Sequence, residues 1–207
     1  MDSIIFDLDG TLWDSTGSVV NLWNQTLSKY KEVKGFLTVD NIRNVSGLEM
    51  HDIAAKFFPY LKEEKRLEIV EDCGKNECAY LAKHGGILYG RLEETLNNLS
   101  KKYKLFIVSN CQSGYIESFL KFHKLHKYFT DFECPGNTGL TKGENIKLII
   151  KRNNLNNPVY VGDTELDLKS ARYAGIPFIY ARYGFGKVKE YDYVIDSFDE
   201  LLKQRDI

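Results

Sequence analysis

The chain has 207 residues, which sets an expectation of one to two domains. Its 28 Lys plus Arg against 29 Asp plus Glu leave a formal charge of -1, and 43% hydrophobic residues are ample for a core. This composition excludes collagen-like, disordered and disulfide-scaffold chains. The balanced charge argues against a nucleic acid polymer as partner, because no net field attracts a polyanion.

No apolar run approaches the roughly 18 residues that suggest a membrane span. The start MDSIIFDLDG is acidic where a signal peptide is basic, so a cytoplasmic protein with no membrane association is expected. Cys73, Cys78, Cys111 and Cys134 form no C-x-x-C pair and read as reduced thiols rather than a zinc site.

In chain order, Ser3 to Leu8 is an apolar strand that runs into Asp9-Gly10, a stop and turn signal. From about Asp14 to Gly86 apolar residues recur at helical spacing: Val19, Leu22, Trp23 and Leu27, then Ile53, Ala54, Phe57 and Phe58, then Leu67, Ile69, Val70, Cys73 and Cys78. No strand pattern stands out there, and Gly85-Gly86 closes the block. Beyond Gly90 the pattern alternates. Helices are expected over Leu92 to Lys102, Tyr115 to His123, Glu144 to Arg152 and Leu166 to Ala174, the last closed by Gly175. Strands are expected over Lys104 to Ser109, Phe132 to Cys134, Pro158 to Gly162, Pro177 to Ala181 and Tyr193 to Ile195, with Leu201 and Leu202 in a terminal helix. Such alternation implies an α/β fold with a parallel sheet between helical layers, which binds ligands at the carboxyl ends of its strands.

Polar residues of interest fall at those ends. Asp7 and Asp9 close the first strand, and residues two apart in a strand face one side. Two such carboxylates repel and call for a cation or a shared proton, although Asp9-Gly10 alone is also a common turn. Asp163 ends the strand PVYVG, and Asp167 falls in the first turn of the next helix. There a carboxylate also serves the helix dipole, and Asp163 or Thr164 can cap the helix. Acidic residues from two strand ends would converge on a hard cation with oxygen ligands, for which Mg²⁺ fits. Ser109 and Asn110 follow the strand KLFIV, where a hydroxyl and an amide can donate to a phosphate oxygen or simply make a turn. Lys142, just before a helix, is either a phosphate-neutralising lysine or a solvated charge.

Together these segments resemble the haloacid dehalogenase-like hydrolase superfamily. Its first motif, DxDG[TV], is matched by Asp7-Leu8-Asp9-Gly10-Thr11, and its second by Phe106-Ile107-Val108-Ser109-Asn110. Lys142 resembles the third, and Gly162-Asp163 with Asp167 the fourth, GDxxxD. The stretch Ala171-Arg172-Tyr173-Ala174-Gly175-Ile176 is similar to the family's A-x-x-A-G-I. Gly90-Arg91 and Lys142-Gly143 depart from the common Pro-Gly and Lys-Pro, without removing a catalytic group.

The resemblance implies a Rossmann-like three-layer core from residues 1-14 and 87-207, with an α-helical cap domain inserted over 15-86. The nearest branch is that of phosphoglycolate phosphatase and β-phosphoglucomutase, whose substrate-facing cap loop is similar to Ile42-Arg43-Asn44-Val45-Ser46-Gly47-Leu48. Arg43 and Gly47 are thus candidates for substrate contact; Trp13 is either another or hinge packing. The implied activity is Mg²⁺-dependent hydrolysis of a small phosphorylated metabolite: phosphoglycolate, a sugar phosphate or a nucleotide. In the implied roles Asp7 is the nucleophile and Asp9 the acid, then base. Asp7, the Asp9 backbone carbonyl and Asp163 would hold Mg²⁺, with Asp167 behind them. Ser109, Asn110 and Lys142 would clamp the phosphoryl oxygens. Asp9 favours phosphate chemistry, since dehalogenases and cation-transporting ATPases lack an aspartate there.

Two other readings share these motifs. A β-phosphoglucomutase-like sugar phosphomutase would return the phosphoryl group to a second sugar position, its cap excluding water. A non-catalytic regulatory protein would keep a vestigial site, although unused paired carboxylates are a standing electrostatic cost. A monomer is the default state and a dimer the alternative. Cys111 adjoins the candidate site, and an oxidation switch there requires a lowered thiol pKa.

Overall fold

The apolar run Ser3–Phe6 loses all exposure to solvent and becomes the central strand of a sheet. The computed structural model describes residues 1–203. In chain order, β1 (Ser3–Phe6) and a short β2 (Trp13–Asp14) precede α1 (Thr16–Leu27), α2 (Val39–Arg43), α3 (Met50–Phe57), α4 (Glu63–Lys75) and α5 (Glu77–His84). A second short strand, β3 (Ile87–Leu88), then leads to α6 (Leu92–Leu99), β4 (Lys104–Val108), α7 (Tyr115–His123) and β5 (Asp131–Glu133). The rest is α8 (Pro135–Thr138), α9 (Lys142–Arg152), β6 (Pro158–Gly162), α10 (Glu165–Ala174), β7 (Phe178–Ala181) and β8 (Tyr193–Ile195), closed by a 3₁₀ turn at Phe198–Lys203.

Six strands form one sheet in the order β5-β4-β1-β6-β7-β8, every pair parallel. Parallel strands covered on both faces read as unbroken apolar runs, as KLFIV and PVYVG do. Their side chains nevertheless divide between two layers. Ile4, Phe6, Ile107 and Val161 pack with Leu96 of α6 and Ile116 and Phe119 of α7. Ile5, Phe106, Val108 and Tyr160 pack with Ile146 and Ile149 of α9 and Leu168 of α10. The result is the three-layer Rossmann-like α/β arrangement.

Strand order reverses beside β1: the chain first builds outward through β4 and β5, then crosses to β6. The crevice at such a switch point is where open α/β sheets take ligands. Phe6 pairs with both Ile107 and Val161, so Asp7, Ser109 and Asp163 emerge from three neighbouring strands.

Helices α1–α5 lie between β2 and β3. These two-residue strands pair antiparallel where the chain leaves and rejoins the sheet, Trp13 opposite Leu88 and Asp14 opposite Ile87. They are too short to leave a period in the sequence. The helical insert rests on the sheet layer through α5, which packs along α7; Ser118 Oγ donates to the Cys78 carbonyl at 2.8 Å. Trp13 is wholly buried against Tyr115, Phe119 and His123, with edge-to-face rings, so its role is packing at the junction. No helix among the described residues is long and apolar enough to cross a membrane.

Several boundaries differ from expectation: α6 ends at Leu99 rather than Lys102, and β4, β5, β7 and α10 are each shifted by one residue at one end or both. The first strand stops at Phe6 rather than Leu8, because the Leu8 carbonyl turns to accept from the amides of Thr11, Leu12 and Trp13. Helix α9 starts at Lys142, not Glu144, because Thr141 and Glu144 form a capping box. The terminal helix is a 3₁₀ segment within the described residues.

Candidate active site

Asp7 lies one residue past β1, its amide still bonded to the Val161 carbonyl at 2.8 Å. Its buried carboxylate accepts from the Lys142 ammonium at 2.6 Å. Lys142 is the first residue of α9, and its ammonium also reaches Asp167 Oδ1 at 2.5 Å. Burial works against the lysine charge, but Asp167 and Asp7 prevail and hold its pKa above the ordinary value. Lys142 is therefore no solvated surface charge.

Asp167 serves both readings the sequence allowed. Its Oδ2 accepts from the Thr164 amide at 2.9 Å and the Thr164 hydroxyl at 2.6 Å, closing the capping box of α10. Its Oδ1 faces Lys142 and the Tyr160 hydroxyl, the latter at 3.3 Å. One carboxylate thus ties the start of α10 to the start of α9.

Asp163 follows β6 and is fully buried. Its Oδ2 accepts from the amides of Phe185 at 2.7 Å and Gly186 at 3.3 Å, on the loop beyond β7. Two glycines permit this: a Cβ on Gly10, which also has φ +84°, or on Gly184 would overlap the Asp163 side chain. The Gly184-Phe185-Gly186 loop went unread in the sequence. Its available signal was a G-x-G pair soon after a buried strand.

Carboxylate oxygens of Asp7, Asp163 and Asp167 all lie within 4.8 Å of one another. Three carboxylates and one ammonium leave a formal charge of -2 in a buried pocket. Burial and Asp167 push Asp7 up to about 7, against the pull of Lys142. Burial, Asp167 and Asp7 raise Asp163 well above the usual carboxylate range. An oxygen-only donor set with a deficit of two charges fits a hard divalent cation.

Asp9 departs from the strand rule that placed it beside Asp7. The turn at Leu8 sends it elsewhere, to the Ser15 hydroxyl at 2.7 Å and the Tyr115 hydroxyl at 3.0 Å. Burial raises Asp9 to about 6, the two hydroxyls opposing. A carboxyl in that range can hold or release a proton near neutral pH. Neither Ser15 nor Tyr115 carried a sequence signal for this role; they meet only because β2 and α7 converge.

Asp9 lines a cavity of about 590 Å³ between the helical insert and the ends of the strands. Val19, Trp23, Ile42, Val45, Met50 and Ile53 make much of its apolar wall, while Asn110, Gln112 and Tyr115 face it from the sheet side. Contacts on both flanks hold the insert over this space. Asn110 Nδ2 donates to the Gly47 carbonyl at 2.9 Å, and Gln112 Nε2 donates to Glu77 Oε2 at 3.0 Å.

Several candidates are thereby placed. Ser109 is buried beyond β4, its amide bonded to the Glu133 carbonyl. The Asn110 amide group is turned toward the insert. Gly47 lines the cavity, but Arg43 does not: its guanidinium pairs with Asp14 at 2.7 Å and lies over the Phe185 ring. Burial and the neighbouring Cys134 raise the Cys111 thiol well above its usual value, opposite to the shift an oxidation switch needs.

Against this geometry, the family described as "Haloacid dehalogenase-like hydrolase" matches residues 4–181, most of the chain. The chain belongs to that family. Among curated proteins, the phosphoglycolate phosphatase of Aquifex aeolicus is 28% identical over 218 residues, spanning 100% of this chain and 97% of its own. Among solved structures, a haloacid dehalogenase-like family hydrolase from Streptococcus pneumoniae superposes with a TM-score of 0.83 at 23% identity, covering 98% of this chain and 97% of its own. A predicted phosphoglycolate phosphatase from Haemophilus somnus gives a TM-score of 0.83 at 20% identity, again over 98% and 97% of the two chains. These superpositions establish a shared fold along the chain.

Proposed function

We propose that the chain is a Mg²⁺-dependent phosphatase of a small phosphate monoester, with residues 1-14 and 87-207 as the catalytic core and 15-86 as its cap. The observation that carries this reading is the division of labour at the exit of β1. Asp7 points into a charged, buried pocket, while Asp9, two residues on, points to a proton-handling site at the edge of the cavity. A two-step transfer through a carboxylate needs both environments at once.

In the first step a carboxylate oxygen of Asp7 attacks phosphorus. The phosphorus–oxygen ester bond breaks, and the leaving alcohol takes the proton of Asp9. In the second, Asp9 removes a proton from water, whose oxygen attacks phosphorus. The bond to Asp7 breaks, inorganic phosphate leaves, and both aspartates return to their starting states. Lys142 holds Asp7 in place and offsets charge on the phosphoryl oxygens, with Ser109 beside it. Asn110 positions the cap loop through Gly47. Asp7, Asp163 and the Asp9 backbone carbonyl would hold Mg²⁺, with Asp167 supporting them, and the ion would neutralise the carboxylates and the phosphoryl charge. The substrate is a phosphorylated metabolite that fits the cavity, acted on by a monomer in the cytoplasm.

The test is inorganic phosphate release from a panel of phosphomonoesters, with and without Mg²⁺, using Asp7→Asn as control. Mg²⁺-dependent release that the control lacks is expected. Conversion between hexose phosphate isomers with no phosphate released would replace the phosphatase with a phosphomutase. Asp163→Ala should shift the Mg²⁺ titration to higher concentration by roughly tenfold or more. An unchanged titration would remove Asp163 from the metal site.

A further inference from the structure

We infer that the alcohol half of the substrate ends in a hydrogen-bond donor, a hydroxyl or an ammonium, rather than in a carboxylate, and that Glu77 determines this specificity. The inference deepens the phosphatase reading and rests on it.

Three acids, Asp9, Glu49 and Glu77, line the cavity; among its described lining residues there is neither lysine nor arginine. His51 stands at the mouth, more than half exposed, 3.6 Å from Glu63. Lys142, the ammonium of the catalytic cluster, is already shared between Asp7 and Asp167. Arg43 is paired with Asp14 and lies outside the cavity lining. A substrate carboxylate seated here would meet like charges and no counterion, which costs several kcal/mol in a desolvated site.

Glu77 is the acid whose placement decides the point. It opens α5, is only 6% exposed, and lines the cavity. Its Oε2 accepts from the Gln112 amide at 3.0 Å, and the Trp23 indole N–H also faces the carboxylate; both are neutral groups. A carboxylate buried without a cation retains acceptor capacity that a ligand donor can satisfy. Burial pushes its pKa up to about 7, and Asp9 adds to this, the response of an acid that has no counterion. Size points the same way. A volume of about 590 Å³ accommodates an alcohol larger than the two carbons of glycolate.

The experiment compares three esters of matched length that differ at one end: phosphoglycolate, 2-hydroxyethyl phosphate and 2-aminoethyl phosphate. Values of kcat/KM are measured at about pH 8, above the Glu77 value, for the native chain and Glu77→Gln. Dissociation constants of the same compounds are measured by calorimetry on Asp7→Asn. The hydroxyl or amino ester should exceed phosphoglycolate by at least about tenfold, and Glu77→Gln should collapse that ratio severalfold. Whichever of the two leads identifies the donor. Phosphoglycolate handled as well as its counterparts, or a ratio unmoved by Glu77→Gln, overturns the inference. If none of the three is hydrolysed, the wider phosphomonoester panel decides the phosphatase reading, and the binding ratios decide the inference. If Glu77→Gln does not fold, the native-sequence ratios and those of Asp7→Asn decide it.

Discussion

Around Asp7, each neighbouring acid is held by an ammonium, a hydroxyl or a backbone amide, whereas the adjoining cavity presents apolar side chains and acids with no lysine or arginine among its described lining residues. The inner pocket is assembled from five loops and helix starts of the sheet layer. Its charges and hydrogen bonds constrain one another, so a change at one residue is felt by the rest. The outer cavity is mostly contributed by the insert and is loosely constrained. Apolar residues there can vary in size at modest cost, which under the proposed function would let the insert be retuned for a new alcohol while the phosphoryl end stays the same. On the proposed reading, chemistry and selectivity sit in two regions of different physical character, joined by Asp9.

That contrast can be broken at either end. The largest effect is expected from Asp7→Asn, which keeps the shape and removes the nucleophile: kcat for phosphate release should fall by at least about a thousandfold in a folded protein. Appreciable turnover by the variant would move the nucleophile elsewhere. Next comes Lys142→Met, measured by denaturant unfolding without divalent cation. Removing the ammonium strands Asp7 and Asp167 beside Asp163, and a loss of about 3–5 kcal/mol is expected. A loss below about 1 kcal/mol would mean that the cluster is not held by this pair.

Glu77 sharpens the comparison through pH. Its carboxyl is raised from an ordinary 4.5 to about 7 by burial, so the folded state binds its proton more tightly than the unfolded chain. The protonated acid contributes stability below about 4.5 that is lost as pH rises through about 7. Glu77→Gln should remove this slope, and the difference between native and variant unfolding free energies should change by on the order of 1–3 kcal/mol across that window. Parallel pH profiles for the two proteins would refute the placement of the charge. The smallest effect belongs to Arg43→Ala. Its partly exposed pair with Asp14 should contribute less than about 1 kcal/mol, with the ratio among the three two-carbon esters unaltered.

Residues in the inner pocket were legible because their chemistry is carried by short motifs at strand ends. Asp7, Lys142, Asp163 and Asp167 each stand at the exit of an apolar run or the start of an amphipathic helix, positions that a parallel sheet gathers at one edge. The pairing of Asp9 with Ser15 and Tyr115 was not legible, because those residues lie 6 and 106 positions away and meet only through the turn at Leu8 and the packing of α7. The grip of Phe185 and Gly186 on Asp163 escaped for the same reason: backbone amides leave no residue type to read. Glu77 was not singled out, because nothing in the sequence of the helical block distinguishes it from the other acids there. Arg43 looked like a cavity residue, but its length and the proximity of Asp14 take it to the junction instead.

By itself, the sequence determined the alternation that builds a parallel α/β sheet, the helical block that follows its first strand, and the acids and lysine at the strand ends and helix starts. It could do so because hydrophobic period and strand-end polarity are local properties of the chain. The tertiary structure decided which acids share the Lys142 ammonium, which one meets two hydroxyls instead, and which buried carboxylate faces the cavity. Those outcomes depend on distances between residues far apart in the chain and on burial, which sets the strength of every charge in the site.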